Sequence, residues 1–297
     1  MSGPWRVVDL TGYKGLVVAG NGHLQVADAG EVALADVVAM LTGVSCELHA
    51  SVFDGAASYG IPLLHCDWRG VPVAATYSWS SHTRAGARQR AQAELSVPRQ
   101  KNAWMHLVQG KIRGQASVLN ALGRDAGEQL LELARRVRSG DPANLEGQAA
   151  RLYWTRVFGD RSFRRLPGSR SGANGMLDYG YAILRGACLR GVVSAGLTPG
   201  IGIWHRRRDN AFALVDDVIE PFRPAVDRIV VEIFESGSGL GRDEKRRLAG
   251  VLDEPMNQGG VTVNTAVDRL SQQLGRYVEG EVARLVVPSF EAFRAAR

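Results

Sequence analysis

Cysteine is scarce in this chain: Cys46, Cys66 and Cys188 are odd in number and far apart in 297 residues. That spacing builds neither a disulfide framework nor a paired-cysteine zinc site, so each reads as a small core residue in a reducing cytoplasm. Residues 1–3 lead into no basic region with an apolar stretch and a small-residue cleavage site, so no secretory leader is visible and a cytoplasmic location is expected. Long apolar runs are also missing. The most apolar segment, 176–197, carries Asp178, Arg185 and Arg190, which are costly in hydrocarbon but suit a buried helix with a polar edge. No membrane span is expected. A Gly-x-x-x-x-Gly-Lys-Ser/Thr loop is absent, and the Ser236-Gly-Ser-Gly-Leu-Gly stretch does not sit at a strand-to-helix elbow. Phosphate-loop nucleotide hydrolysis and serine hydrolysis are thereby set aside. Lysine is rare as well: of 36 basic residues only Lys14, Lys101, Lys111 and Lys245 are lysines.

What is abundant is arginine, and it is unevenly placed. The formal net charge is +6, yet residues 1–83 hold 3 basic and 7 acidic side chains, 84–170 hold 17 and 7, and 171–297 hold 16 and 16. The whole excess lies in the middle. Arginine's planar fork binds phosphate oxygens in bidentate fashion, so this clustering is the footprint of a polyanion partner. Arg84, Arg88, Arg90 and Arg99 are the first candidates for DNA contacts, with His82 beside them; a solvated helix face would carry the same residues.

Short apolar runs punctuated by Gly, Pro and Asp predict strands at 5–10, 15–19, 23–27, 37–41, 62–66 and 71–76, with a small helix near 51–59. Asn21-Gly22 predicts a tight hairpin. His65 falls within a predicted strand and reads as structural. From Arg84 onward helical periods take over. Asp141-Pro142 predicts a helix start, 159–175 a loop, 176–197 a long helix, 214 onward a helix bent near Glu220-Pro221, and 265–286 a final helix. The expected class is therefore α+β: a small N-terminal β domain over 1–80 and a larger, mostly α-helical domain over 84–297.

The stretch from His205 to Arg228 brings an imidazole, arginines and carboxylates together, the parts needed to hold a divalent metal beside a phosphate. Asp217 and Glu220 share a face if one helix spans both. Acidic residues near a helix start also serve its dipole, and a histidine beside a charge run is often just a surface residue. Glu146 by itself reads rather as an ordinary solvent-facing partner of a nearby arginine than as a ligand. Taken singly, these residues favour the plain structural readings.

Four ordered words close the choice by resemblance: Asn144-Leu-Glu146-Gly-Gln-Ala-Ala-Arg151-Leu-Tyr153-Trp; Asn174-Gly-Met-Leu-Asp178-Tyr179-Gly180-Tyr181; Gly202-Ile-Trp-His205; and Phe212-Ala-Leu-Val-Asp216-Asp217-Val-Ile-Glu220-Pro221-Phe222-Arg223-Pro224. Together they resemble the CRISPR-associated Cas1 family of adaptation integrases. The Glu-Pro-Phe-Arg-Pro version resembles the form that accompanies type II systems. The resemblance covers nearly the whole chain and implies a β domain that mediates dimerisation, followed by a helical catalytic domain.

It also implies that Glu146, His205 and Glu220 bind one Mn2+ or Mg2+, with Asp217 in a supporting role near the metal. Two carboxylates and one imidazole leave room for water and phosphate oxygens, unlike a closed zinc site. The implied reaction is metal-dependent endonuclease or integrase chemistry, in which the 3′-hydroxyl of captured double-stranded DNA attacks a phosphodiester at the leader–repeat boundary. The implied assembly is a homodimer, with two such dimers bridged by a small Cas2 protein. The rival readings are a non-catalytic DNA-binding scaffold and a stand-alone repair or transposon-type nuclease.

Overall fold

The computed structural model describes residues 5–27, 29–79, 82–169 and 171–292. Among these, the strands are β1 (Arg6–Leu10), β2 (Gly15–Gly20), β3 (His23–Val26), β4 (Gly30–Ala33), β5 (Val37–Thr42), β6 (Cys46–Leu48), β7 (Leu63–Cys66) and β8 (Pro72–Thr76). Helix α1 (Ala50–Ser58) lies between β6 and β7. After β8 come α2 (Ala85–Ala93), α3 (Val97–Ala121), α4 (Gly127–Arg136), α5 (Leu145–Trp154), α6 (Gly172–Ser194), α7 (Ala213–Val218), α8 (Arg223–Glu235), α9 (Arg242–Ala249) and α10 (Val263–Val278). A strand-rich N-terminal region thus precedes a mostly helical one, the expected α+β class.

The strands make two four-stranded sheets, ordered β1-β5-β7-β8 and β4-β3-β2-β6. Asn21 and Gly22 carry positive φ, +52° and +75°, and close the β2–β3 hairpin as their residue types predict. β4 and β6 were not expected, because Gly30-Glu-Val-Ala and Cys46-Glu-Leu lack an apolar run. They form at the two edges of the second sheet, where β3 and β2 supply ready backbone partners.

β5 is buried along its whole length, which explains the apolar run from Val37 to Leu41. A register shift in its pairing with β1, between Arg6↔Val37 and Val7↔Ala39, breaks strict alternation of faces. Val37 and Met40 join a small core with Val17, Leu24 and Val52, while Val38 and Leu41 join the large helical core. One strand therefore ties the two regions together.

Several helix bounds differ from expectation. α5 begins at Leu145, because Asp141 and Asn144 both take positive φ, +43° and +48°, and so cannot be helical. α6 begins at Gly172, earlier than expected, and α10 stops at Val278. α7 ends at Val218, and a separate 3-10 turn, Glu220–Phe222, leads into α8. Two of the charged residues of α6 find ionic partners, Asp178 with Arg165 and Arg185 with Asp216 at 2.5 Å, while Arg190 lies over the Trp5 ring at 5.6 Å with Nη1 buried and unbonded. No helix among the described residues is long and apolar enough to cross a membrane.

Candidate active site

The first word places Glu146 at the start of α5. The Asp141 carboxylate accepts from the backbone N–H of Leu145 and of Glu146, both at 2.9 Å, and Asn144 Oδ1 accepts from Gly147 N–H at 3.2 Å. Three orphan donors of the helix start are thus satisfied, and the Glu146 side chain is fixed in the first turn.

The fourth word sets Glu220 opposite. Pro221 and Pro224 occupy early turns, where a missing N–H costs no helical hydrogen bond. Both prolines face glycines of α3. A Cβ at Gly110 would meet Pro221 Cβ at 3.3 Å, and one at Gly114 would meet Pro224 Cγ at 2.9 Å. The Gly110/Gly114 pair, four residues apart, lets α3 settle onto the 220–224 segment and delivers Lys111 between the carboxylates. Lys111 Nζ lies 2.6 Å from Glu146 Oε1 and 2.6 Å from Glu220 Oε2. Arg223 Nε holds Glu220 Oε1 at 2.9 Å. These two cations outweigh the effect of burial and pull the Glu220 carboxyl down to about 2.

The third word is organised by Asp217, which is completely buried. Its Oδ2 accepts from Ile203 N–H at 2.5 Å and Trp204 N–H at 3.0 Å; its Oδ1 accepts from His205 N–H at 3.2 Å and lies 2.7 Å from His205 Nδ1. A Cβ at Gly202 would meet Asp217 Oδ2 at 3.0 Å, so this loop wraps the carboxylate closely only around glycine. The hydrogen bond to Asp217 raises the His205 pKa, with the charges of Asp217, Glu220 and Asp216 adding to it. With Nδ1–H committed to Asp217, the network assigns the free lone pair to Nε2. Trp104 packs edge-on to this ring at 5.6 Å and stacks on Trp204 at 5.5 Å.

The second word supports the corner from behind. Asn174 and Asp178 anchor the arginine-bearing loop: Asn174 Oδ1 accepts from Leu166 N–H, and Asp178 Oδ2 from Gly168 N–H, both at 2.8 Å. Tyr181 donates to buried Asp227, and Arg223 lies 4.6 Å from the Tyr181 ring centre.

The four words therefore converge, with one correction to the expected arrangement. Asp217 and Glu220 do not share a helix face, since α7 ends between them; Asp217 turns to His205 and Glu220 to Lys111 and Arg223. Among the described residues no three His, Cys, Asp or Glu side chains are poised as a metal cage, because an ammonium stands between Glu146 and Glu220. The donor chemistry still fits a hard divalent cation. Glu220 Oε2 is buried and lacks any hydrogen bond, although Lys111 Nζ is 2.6 Å away; the contact is ionic but off the bonding direction. An orphaned carboxylate oxygen and a second carboxylate meet at Lys111 Nζ, and the His205 imidazole lies near enough to Glu220 to feel its charge.

The arginines chosen from charge clustering divide. Arg88 is buried: Nε binds Glu279 at 2.9 Å and Nη1 donates to Ala195 O at 2.7 Å. Arg99 donates to Tyr277 O and Val282 O and lies 4.1 Å from the Tyr277 ring centre. Both are interior clamps to α10 and the segment after it, not DNA-facing forks. Arg84 pairs with Glu279 at 2.6 Å while its side chain stays 59% exposed, and Arg90 is exposed. A cleft of about 460 Å3 lined by Arg135, Arg136, Arg138, Asp141 and Leu145 reaches the start of α5, next to Glu146. The charge clustering over 84–170 covers these arginines without singling them out, and it gives Lys111 no role. The run of three arginines within four residues ahead of Asp141 is the available signal for the former, and the Gly110–Gly114 spacing for the latter.

Comparison with known proteins follows the same geometry. The family model described as "CRISPR associated protein Cas1" matches residues 14–255. The chain is 37% identical over 189 residues to the CRISPR-associated endonuclease Cas1 of Neisseria meningitidis serogroup C (strain 8013), a match covering 63% of this chain and 61% of that one. It is 31% identical over 198 residues to CRISPR-associated endonuclease Cas1 1 of Francisella tularensis subsp. novicida (strain U112), covering 59% and 61%. The match thus spans about three fifths of the length of these curated relatives. Among solved structures, one described as "Casposase bound to integration product" superposes with a TM-score of 0.77 at 19% identity, covering 98% of this chain and 94% of that chain. A Cas1 protein from Thermotoga maritima gives 0.75 at 17% identity, covering 98% and 100%. At those identities the likeness is one of fold.

Proposed function

This chain belongs to the Cas1 family of CRISPR-associated proteins, and from that premise we propose that it is the integrase that inserts captured DNA into a CRISPR repeat. The observation that carries the reading is the convergence of Glu146 and Glu220 on one point, beside an imidazole whose Nδ1 is held by Asp217. The endonuclease named for the curated relatives supports phosphodiester chemistry. The fold shared with a casposase bound to integration product is consistent with strand transfer.

Glu146, Glu220 and His205, through Nε2, would hold Mn2+ or Mg2+. Bound there, such an ion polarises the phosphodiester and offsets charge on the attacking and departing oxygens. In the reaction the 3′-hydroxyl oxygen of the fragment bonds to phosphorus at the leader–repeat boundary, and the bond from phosphorus to the departing 3′ oxygen breaks. One proton leaves the attacker and one reaches the departing oxygen, so no external energy source is required. Asp217 orients His205, and Arg223 keeps Glu220 ionised. Arg135, Arg136 and Arg138 are placed to bind backbone phosphates, which gives affinity without base reading.

The partners in this reading are double-stranded DNA, a second copy of the chain joined through the β region, and a small Cas2 protein, as in the complexes described as pairing Cas1 with Cas2. The Glu220-Pro-Phe-Arg-Pro224 word supports a type II system. One observation favours the non-catalytic scaffold instead: the ammonium between the two carboxylates.

An integration assay separates the two. A fragment with free 3′-hydroxyls, a repeat-bearing plasmid and Mn2+, with and without Cas2, should give joined product. E146Q, H205A and E220Q should each lower it about 100-fold or more while DNA affinity stays within about threefold. Joined product at the unaltered level in all three variants would sink the proposed centre, and joining to plasmids lacking the repeat would point to a stand-alone nuclease.

A further inference from the structure

Two cations serve the acidic corner, and they are built differently. Arg223 is locked: Nε reaches Glu220 Oε1 at 2.9 Å, and its guanidinium lies over the Tyr181 ring at 4.6 Å. Lys111 carries its charge on a flexible four-carbon stem, as a compact ammonium with no fixed fork. Its side chain is only 11% exposed, yet the contacts it makes are the two carboxylates themselves, each at 2.6 Å. The Glu220 contact lacks hydrogen-bond direction, so Oε2 is neutralised without being satisfied. Glu146, the other partner, is 30% exposed and opens this side of the corner to solvent.

We infer that Lys111 is the resident cation of the site, neutralising Glu146 and Glu220 until a divalent ion takes its place. This rests on the metal-centre reading above. Loading is then an exchange of one cation for another. The free protein thereby avoids leaving the buried Oε2 of Glu220 facing the Glu146 carboxylate with no cation between them, an arrangement in which the two would repel each other. The ammonium lowers the affinity that a bare pair of carboxylates with an imidazole would show for the metal. Once displaced, it is repelled by the double charge and swings on its stem toward the open Glu146 side. Gly114 and Gly110 set how deeply it reaches, because a Cβ there would push α3 off Pro224, at 2.9 Å, and off Val287 and Pro288, each at 2.8 Å.

The test measures metal binding, with no DNA present. Mn2+ titration followed by electron paramagnetic resonance should show the Kd of K111M tightened at least about fivefold relative to the unaltered chain. In the unaltered chain, saturating Mn2+ should raise acylation of Lys111 at least about threefold relative to Lys14 and Lys101, read by peptide mass spectrometry. An unchanged or weaker Kd in folded K111M, or Lys111 labelling indifferent to Mn2+, overturns the exchange. If K111M fails to fold, the labelling decides alone. E146Q and E220Q test the premise: Mn2+ binding lost in them but unchanged in K111M sinks only the exchange, whereas binding unaltered in both glutamine variants sinks the centre with it.

Discussion

The corner around Glu220 and the seam where α2 meets the end of α10 contain the same kinds of parts. In each, two cations hold one glutamate: Lys111 and Arg223 on Glu220, Arg84 and Arg88 on Glu279. Each also has a histidine close by, His205 at the corner and His82 at the seam, where Nδ1 accepts from Arg84 N–H at 3.1 Å. The sign of the surplus separates them. The corner sets Glu146, Asp217 and Glu220 against Lys111 and Arg223, and this negative surplus suits the metal role proposed above. The seam sets one glutamate against two arginines and closes as a structural clamp. A cluster of charged residues is thus a site or a staple depending on what remains uncompensated.

Exchanging roles is the strongest way to break this comparison. E220Q should abolish joined product, whereas E279Q should leave it within about threefold, since no reacting group touches the seam. A comparable loss in both variants would erase the distinction. Stability should run the other way for the clamp arginine: R88A removes a buried partner and should cost about 3 kcal/mol in urea unfolding, while R90A on the exposed face should cost under about 0.5 kcal/mol.

Acid sharpens the contrast. Glu220 is held at about 2 against an ordinary 4.5, so its contribution is complete above 4.5 and is lost as pH falls toward 2. Integrated over that window it amounts to about 3 kcal/mol, and the pH-dependence of unfolding should flatten by that order in E220Q.

The two histidines should titrate on opposite sides of 6.5 by NMR. Asp217 raises His205, whose contribution is full below 6.5 and fades as pH rises through its folded value. Burial and the Arg88 charge lower His82, so its effect is a loss of stability as pH falls below 6.5. Matching titrations would mean that the two environments are alike. The smallest effect concerns DNA. R135A/R136A/R138A should reduce the slope of log affinity against log salt by about 2 to 3, while R88A should leave the slope unchanged in the folded fraction.

Much of the fold was legible because local rules dominate there. Asn21-Gly22 tolerates positive φ, and β5 is apolar from Val37 to Leu41 because both of its faces are covered. β4 and β6 were not legible, since their stability comes from neighbours that pair with them and not from their own residues. The α5 start was displaced because Asp141 caps from a distance of four residues instead of standing at the cap position. At the site, the ordered words named Glu146, His205, Asp217 and Glu220. They could not show that Arg88 and Arg99 turn inward, because their partners Glu279 and Tyr277 lie 191 and 178 residues away in sequence.

The sequence by itself determined the types of chemistry available: carboxylates, an imidazole and many arginines, set in four words whose glycines, prolines and caps act over a few residues. Only tertiary structure decided which charges meet. Coulombic pairing depends on distance in space, and the depth of Lys111 between Glu146 and Glu220 is set by the packing of α3 glycines on prolines more than a hundred residues later.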